Sequence, residues 1–168
     1  MSERYTRRGV LAAGAAVSAG LAGCLGEPPG PEPGSLSPNE QPLLGNQNAP
    51  VTVTIFEDFG CPHCRDFALN SLPSVRSQHV GNGNARIFHM DFPLPANQQW
   101  SYPVASAARA VFEEAGHDAF WSFSEEMFAN QGDFSMSLIE EVGNQVASVG
   151  TAARNAAEQN TYRNAVDS

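Results

Sequence analysis

The feature that most constrains the fold is a pair of cysteines, Cys61 and Cys64, which are separated by two residues and closely follow an apolar stretch. Residues 51–56 (Val-Thr-Val-Thr-Ile-Phe) are mostly β-branched or aromatic and predict a buried strand, which we expect at the centre of a sheet. After a short turn, a helix is expected from Pro62 to about His79. Proline suits the first helical position, where the N–H has no partner within the helix. The sequence therefore predicts Cys61 at the tip of a helix that begins where a strand ends.

This position has a chemical consequence for Cys61. The free N–H groups and the positive end of the dipole at a helix N-terminus stabilise negative charge, so they favour a thiolate. His63 lies between the cysteines and adds a donor or a positive charge near the same sulfur. Cys64 follows one helical turn later, within reach of a small disulfide ring. The pattern predicts thiol–disulfide exchange, with Cys61 as an exposed nucleophile and Cys64 as the resolving thiol.

Two other roles for this cysteine pair stay open. An inert disulfide is one, although closing so short a loop gains little chain entropy. A zinc- or copper-binding module built from Cys61, His63 and Cys64 is the other, although zinc usually takes four ligands and the only further cysteine is Cys24. The placement between a strand and a helix, with Pro-His inside the pair, favours the redox role.

Several segments resemble one known family. Residues 56–64 (Phe-Glu-Asp-Phe-Gly-Cys-Pro-His-Cys) resemble the active site of the DsbA-like branch of thioredoxin-fold proteins. Residues 91–94 (Asp-Phe-Pro-Leu), at the end of a second predicted strand, resemble it as well, and so do residues 116–121 and 127–131. The resemblance covers roughly residues 44–166. It implies an α/β, thioredoxin-like fold.

The resemblance also implies a helical insertion and an activity. The insertion is expected at about residues 100–168, where apolar residues recur at helical spacing around an aromatic cluster. The implied activity is that of a protein thiol–disulfide oxidoreductase without a cofactor, whose site residues are Cys61, Pro62, His63 and Cys64. Its partners would be thiol-containing exported proteins, as recipients of disulfides, and a further protein that reoxidises it. A reductase or isomerase with the same site, and a non-catalytic remnant, stay open as alternatives.

Glu57 is a candidate for proton transfer. The family often carries a buried acid six positions before the first cysteine, but here that position is Ile55. Glu57 is the nearest acid on the same side of an alternating strand. We expect it to be a solvated carboxylate in a turn, and a proton relay to Cys64 is the other possibility.

The first 23 residues predict an export signal. Residues 6–11 open a twin-arginine pattern, and the apolar run at residues 11–21 is too short for a membrane span of about 20 residues. Residues 21–24 (Leu-Ala-Gly-Cys) resemble a lipobox, which makes Cys24 the expected lipidation site. An ordinary cleaved signal with a chance cysteine is the alternative. Either places the domain outside the cytoplasm, and the lipid would hold it on the outer face of the cytoplasmic membrane.

A tether and one acidic domain are expected after the signal. Residues 24–42 are rich in proline and glycine, which predicts an extended tether, and the thioredoxin-like domain follows at residues 43–168. The chain has a formal net charge of −9, and all nine of its basic residues are arginine. This charge argues against nucleic-acid binding, which needs a basic patch.

The C-terminal part of the expected fold has no counterpart in this sequence. A complete thioredoxin fold continues with a ββα segment that begins at a cis-proline, usually within Thr-Pro or Val-Pro, and neither dipeptide occurs here. We expect a small sheet with one uncovered edge. We also expect lower stability, or weaker action on substrates, than in a complete family member.

Overall fold

The computed structural model describes residues 41–94, 97 and 99–167. The predicted signal, the lipidation site at Cys24 and nearly all of the predicted tether lie outside the described residues. None of the described helices combines the length and the apolar character that a membrane crossing requires.

Three strands form the sheet in the described part of the chain, and their order is β1-β3-β2. They are β1 (Leu43–Leu44), β2 (Val51–Glu57) and β3 (Ala85–Asp91). β1 is antiparallel to β3, whereas β2 is parallel to it, so β2, the following helix and β3 make a βαβ unit. The two predicted long strands are confirmed.

The prediction that residues 51–56 form a buried central strand is wrong, because β3 occupies the centre. Val51 and Phe56 are both more than half exposed, and Phe56 contacts the exposed ring of Phe92 edge-on. No other strand among the described residues pairs with the outer edge of β2. β-Branched and aromatic residues favour any pleated strand, so their presence does not say which strand is central.

Helix α1 begins at Pro62 and ends at Val80, close to the predicted bounds. Its turns alternate between α and π geometry, in the segments Pro62–Asp66, Phe67–Ser71, Leu72–Val75 and Arg76–Val80. Pro73 has no N–H for the carbonyl four residues earlier, and its ring would press on that carbonyl in a regular helix. The first π turn, closed by the Leu72 N–H on the Phe67 carbonyl oxygen, widens the helix where the proline needs room.

Four more helices confirm the predicted helical insertion. They are α2 (Ser101–Ala129), α3 (Met136–Ala147), α4 (Gly150–Gln159) and α5 (Arg163–Val166). α2 is broken at Gly116, whose φ of 80° lies in the left-handed region that favours glycine. Ser135 caps α3 by accepting the Leu138 N–H at 3.1 Å.

The part of the core that adjoins the site lies between the sheet and the second half of α2. The fully buried members of this half are Phe120, Phe123, Met127 and Phe128. The ring of Phe120 lies 4.9 Å from that of His89 on β3, so α2 packs directly on the sheet. Trp121 is also buried and belongs to this core. Each such side chain contributes about 1.5–3 kcal/mol through burial.

A buried ion pair joins α2 to the end of β3. Arg109 Nε lies 2.6 Å from Asp91 Oδ2, and the two side chains are only 1% and 2% exposed. Either charge alone would be buried without compensation, which costs far more than the intact pair contributes. The pair therefore fixes how the helical insertion sits on the sheet.

Replacing one member of this pair should be strongly destabilising. We expect Arg109→Met to lower the free energy of unfolding by about 3–5 kcal/mol, because it leaves Asp91 buried and unpaired. The double variant Asp91→Leu/Arg109→Met should recover most of that loss. The control is Arg154→Met, which removes an exposed partner of Glu140 and should change little. Urea unfolding measures all three, and equal losses for Arg109→Met and Arg154→Met would contradict this role of the buried pair.

Candidate active site

The site is built where β2 passes into α1. Cys61 has extended backbone angles (φ −89°, ψ 121°) and is the N-cap residue of α1, with Pro62 at the first helical position. Its carbonyl oxygen accepts the Arg65 N–H at 3.1 Å, which starts the helix. The predicted position of Cys61 at the helix tip is confirmed. At this position, the backbone N–H groups of the first helical turn have no partner within the helix and lie near the sulfur.

Asp58 holds the turn before the cysteines. One of its carboxylate oxygens accepts the Gly60 N–H at 2.7 Å, and the other accepts the Leu94 N–H at 2.8 Å. Gly60 has no room for a side chain, since a Cβ there would lie 2.6 Å from the Cβ of Asn97. Sequence reasoning missed Asp58, although an aspartate two residues before a glycine is a common signal for a turn closed by the side chain.

Gln131 ties the helical insertion to the same turn. Its side-chain amide donates to the carbonyl oxygens of Phe59 at 2.8 Å and Cys61 at 2.9 Å. Nothing in the local pattern around Gln131 indicates this contact, which joins residues 70 positions apart.

The expectation that Cys61 is exposed is wrong. Cys61 is only 7% exposed, whereas Pro62 and His63 beside it are exposed. The insertion lies against the turn through Gln131, and local spacing cannot reveal such a neighbour. Cys61 and Cys64 are both free cysteines in this structure.

The two cysteines differ in their surroundings. The pKa of the Cys64 thiol is raised to about 11. Burial is the largest cause, a hydrogen bond from the Asp58 N–H at 3.5 Å opposes it, and the contact with the Cys61 side chain adds to it. Cys64 therefore keeps its proton at neutral pH. A sulfur of this kind does not remain a thiolate after a disulfide opens, so it needs a proton donor nearby.

Glu57 is the candidate for this proton donor. It is 3% exposed, so the expectation of a solvated turn carboxylate is wrong: Glu57 is the last residue of β2 and its side chain is enclosed. Burial, and after it the charge of Asp91, raises the pKa of Glu57 to about 8. Its carboxyl group is therefore protonated at neutral pH.

One pocket brings the chemical groups together. Its volume is about 310 Å³, and it is lined by Ile55, Phe56, Glu57, His63, Cys64 and Phe67. Glu57, His63 and Cys64 thus line the same pocket, and a relay from Glu57 to Cys64 needs this shared position. In the described part of the chain, no three His, Cys, Asp or Glu side chains are grouped as metal ligands would be.

The burial of Glu57 predicts a pH-dependent stability. Between about pH 4.5 and pH 8 the unfolded chain loses this proton while the folded chain keeps it, so each step of one pH unit upward favours unfolding by about 1.4 kcal/mol. We expect the free energy of unfolding of Glu57→Gln, relative to that of the native chain, to rise with pH. The difference should be several kcal/mol larger at pH 9 than at pH 5. Urea unfolding at both pH values, with the cysteines kept reduced, measures this. A difference that does not change with pH would show that Glu57 ionises normally.

Known proteins resemble this chain in both sequence and fold. A sequence model of the thioredoxin family matches residues 37–168. A probable disulfide bond formation protein D of Bacillus cereus is 33% identical over 91 residues, which are 54% of this chain and 41% of that protein. Disulfide bond formation protein D of Bacillus subtilis is 32% identical over 100 residues, covering 60% of this chain and 44% of that protein. The chain thus spans less than half the length of these curated relatives.

A solved structure shares the architecture. The crystal structure of oxidised BdbD from Bacillus subtilis matches with a TM-score of 0.70 at 25% identity, over 78% of this chain and 72% of that chain. The likeness extends over the sheet, α1 and the helical insertion taken together, since it covers most of the described residues.

Proposed function

This chain belongs to the thioredoxin family, with a thioredoxin-like α/β fold and a helical insertion, and on that premise we propose that it is a protein thiol–disulfide oxidoreductase that donates disulfides to exported proteins. The observation that carries the proposal is the asymmetry of the cysteine pair. Cys61 caps a helix, where a thiolate is stabilised, whereas Cys64 lies beside a protonated carboxyl group in one pocket. The named relatives are disulfide bond formation proteins, which supports the same class of reaction.

The first step opens the oxidised cysteine pair. A substrate thiolate attacks Cys61 Sγ, the Cys61–Cys64 bond breaks, and its electron pair goes to Cys64 Sγ. The high pKa of Cys64 means that this sulfur takes up a proton as it leaves, and the Glu57 carboxyl group in the same pocket donates it. The product is a mixed disulfide between the substrate and Cys61, a protonated Cys64 and an ionised Glu57.

The second step releases the product. A second substrate thiolate attacks the substrate sulfur of the mixed disulfide, and the electron pair goes to Cys61 as a thiolate. The N-terminus of α1 and the exposed His63 stabilise this thiolate. The substrate has then lost two electrons and the cysteine pair has gained them, so a partner carrying an oxidised disulfide must restore the pair. This cycle belongs outside the cytoplasm, where the proposed export signal and a lipid on Cys24 would place the domain.

Serine variants of the pair separate its two roles. We expect Cys64→Ser to accumulate mixed disulfides with substrate through Cys61, because no second sulfur is present to displace the bound chain. Cys61→Ser should transfer no disulfide and trap no substrate. Both are made in a Cys24→Ser background, so that the third thiol contributes nothing. Mass spectrometry detects the trapped species after incubation with an unfolded protein that carries a disulfide, which the Cys61 thiolate opens. Transfer is measured from glutathione-oxidised variants to a reduced, unfolded protein, and disulfide transfer by the Cys61→Ser variant would end the proposal.

The redox potential decides the direction of the reaction. A stabilised Cys61 thiolate favours the reduced pair, so we expect a potential well above the value of about −270 mV typical of thioredoxin. His63→Ala should lower it by about 30 mV for each 1.4 kcal/mol of lost thiolate stabilisation. The matched control is His79→Ala, an exposed histidine at the other end of α1. Equilibration with glutathione buffers measures all three, and a native potential at or below that of thioredoxin would favour the reductase alternative.

A further inference from the structure

A line of four buried polar side chains runs from the proposed site into the core. His89 Nε2 lies 3.7 Å from Glu57 Oε2, and His89 Nδ1 lies 3.9 Å from Asp91 Oδ1. The other oxygen of Asp91 is ion-paired with Arg109 at 2.6 Å. None of the four side chains is more than 3% exposed. The line therefore crosses from β2 over β3 to α2 without reaching solvent.

Several atoms along this line have no hydrogen-bond partner among the described residues. They are both carboxyl oxygens of Glu57, both ring nitrogens of His89, Asp91 Oδ1 and Arg109 Nη1. A buried polar group without a partner costs about 1–3 kcal/mol. The two His89 contacts need to shorten by only about 0.5–1 Å to become hydrogen bonds. Four of these atoms, Glu57 Oε2, the two ring nitrogens of His89 and Asp91 Oδ1, therefore face one another across two short gaps.

The charges of the four side chains raise the question of whether Glu57 or His89 carries a proton. Asp91 and Arg109 neutralise each other, and Glu57 and His89 hold one further proton between them. Burial lowers the pKa of His89 to about 4 and raises that of Glu57 to about 8, so the proton resides on Glu57. Asp91 Oδ1 lies 3.9 Å from His89 Nδ1, and a shorter approach would let it accept a hydrogen bond from an Nδ1–H, with Nε2 then the acceptor that faces Glu57.

We propose that His89 is a positioning residue for Glu57: Asp91 holds its Nδ1–H, and its Nε2 accepts a hydrogen bond from the Glu57 carboxyl group and so keeps that group protonated until Cys64 leaves. This inference rests on the proposed function. When the Cys61–Cys64 bond breaks, the carboxyl group turns about its Cγ–Cδ bond and gives its proton to Cys64 Sγ. Glu57 is left ionised and His89 stays neutral; Glu57 then takes up a proton from solvent, so it is protonated again in the reduced chain at neutral pH. Reoxidation of the pair releases the Cys64 proton.

The remaining groups around Glu57 are consistent with this assignment. Asp58 follows it in the turn, and Arg76 on α1 and Glu125 on α2 line a second cavity of about 400 Å³ that Glu57 also borders. None of these three is among the charges that shift the pKa of Glu57, whereas Asp91 is. After burial, the charge of Asp91 is therefore what raises the pKa of Glu57.

Nuclear magnetic resonance of the reduced full chain tests the proposal without measuring activity. We expect the ring ¹⁵N signals of His89 to show the Nδ1–H tautomer, and its Nε2 signal to move at the same pH midpoint as the carboxyl ¹³C signal of Glu57. Glu57→Gln should abolish that movement. An Nε2–H tautomer, or an Nε2 signal that stays constant while Glu57 titrates, would overturn the proposal.

A kinetic variant tests the consequence for exchange. His89→Phe keeps a ring against Phe59 and Phe120 but removes the acceptor. Protonated Glu57 loses its hydrogen bond in this variant, which lowers the pKa of Glu57. The exchange rate declines as the pH rises, and we expect the midpoint of that decline to lie about half a pH unit or more below that of the native chain. His79→Phe, at an exposed site on α1, should keep the native profile.

The two proposals can fail separately. A folded His89→Phe variant with the native pH profile overturns the role of His89. If that variant does not fold, the nuclear magnetic resonance experiment on the native chain still tests the role of His89. A native chain that oxidises no dithiol ends the proposed function, whereas one that does so without coupling between His89 and Glu57 overturns only the inference drawn from this line.

Discussion

The parallel register of β2 against β3 is the constraint on which the rest of the site depends. It pairs Val51 with Ala85 at one end and Glu57 with Asp91 at the other, so two carboxyl groups lie side by side where both strands end. Like charges in such a position repel each other, and burial adds to the cost of ionising both. One carboxyl group therefore stays protonated, and it is the one beside the cysteines.

The helical insertion completes this arrangement. Arg109 on α2 neutralises Asp91, so the negative charge at the end of β3 is the stable one and the proton remains on Glu57. Gln131, beyond the end of α2, fixes the carbonyl groups on both sides of Gly60. The insertion thus sets both the charge and the geometry of a site whose cysteines lie in another part of the chain.

Stability and function oppose each other at this end of the sheet. A carboxyl group that is kept neutral in the core weakens the fold as the pH rises, and unpartnered polar atoms around His89 add to that cost. Apolar residues of similar size would pack there without either cost. In the proposed mechanism the same groups supply the proton that Cys64, with its raised pKa, takes up when the disulfide opens.

The sequence by itself determined the strand-to-helix junction, Cys61 at the helix tip, the two long strands and the helical insertion, because these follow from local patterns and from a proline at the first helical position. Only the tertiary structure decided that β3 is central, that Cys61 is nearly covered and that Glu57 is enclosed. These depend on contacts between residues far apart in the chain, such as Gln131 with Cys61 and Arg109 with Asp91. Burial and pKa arise from the sum of such neighbours, and local spacing carries no information about them.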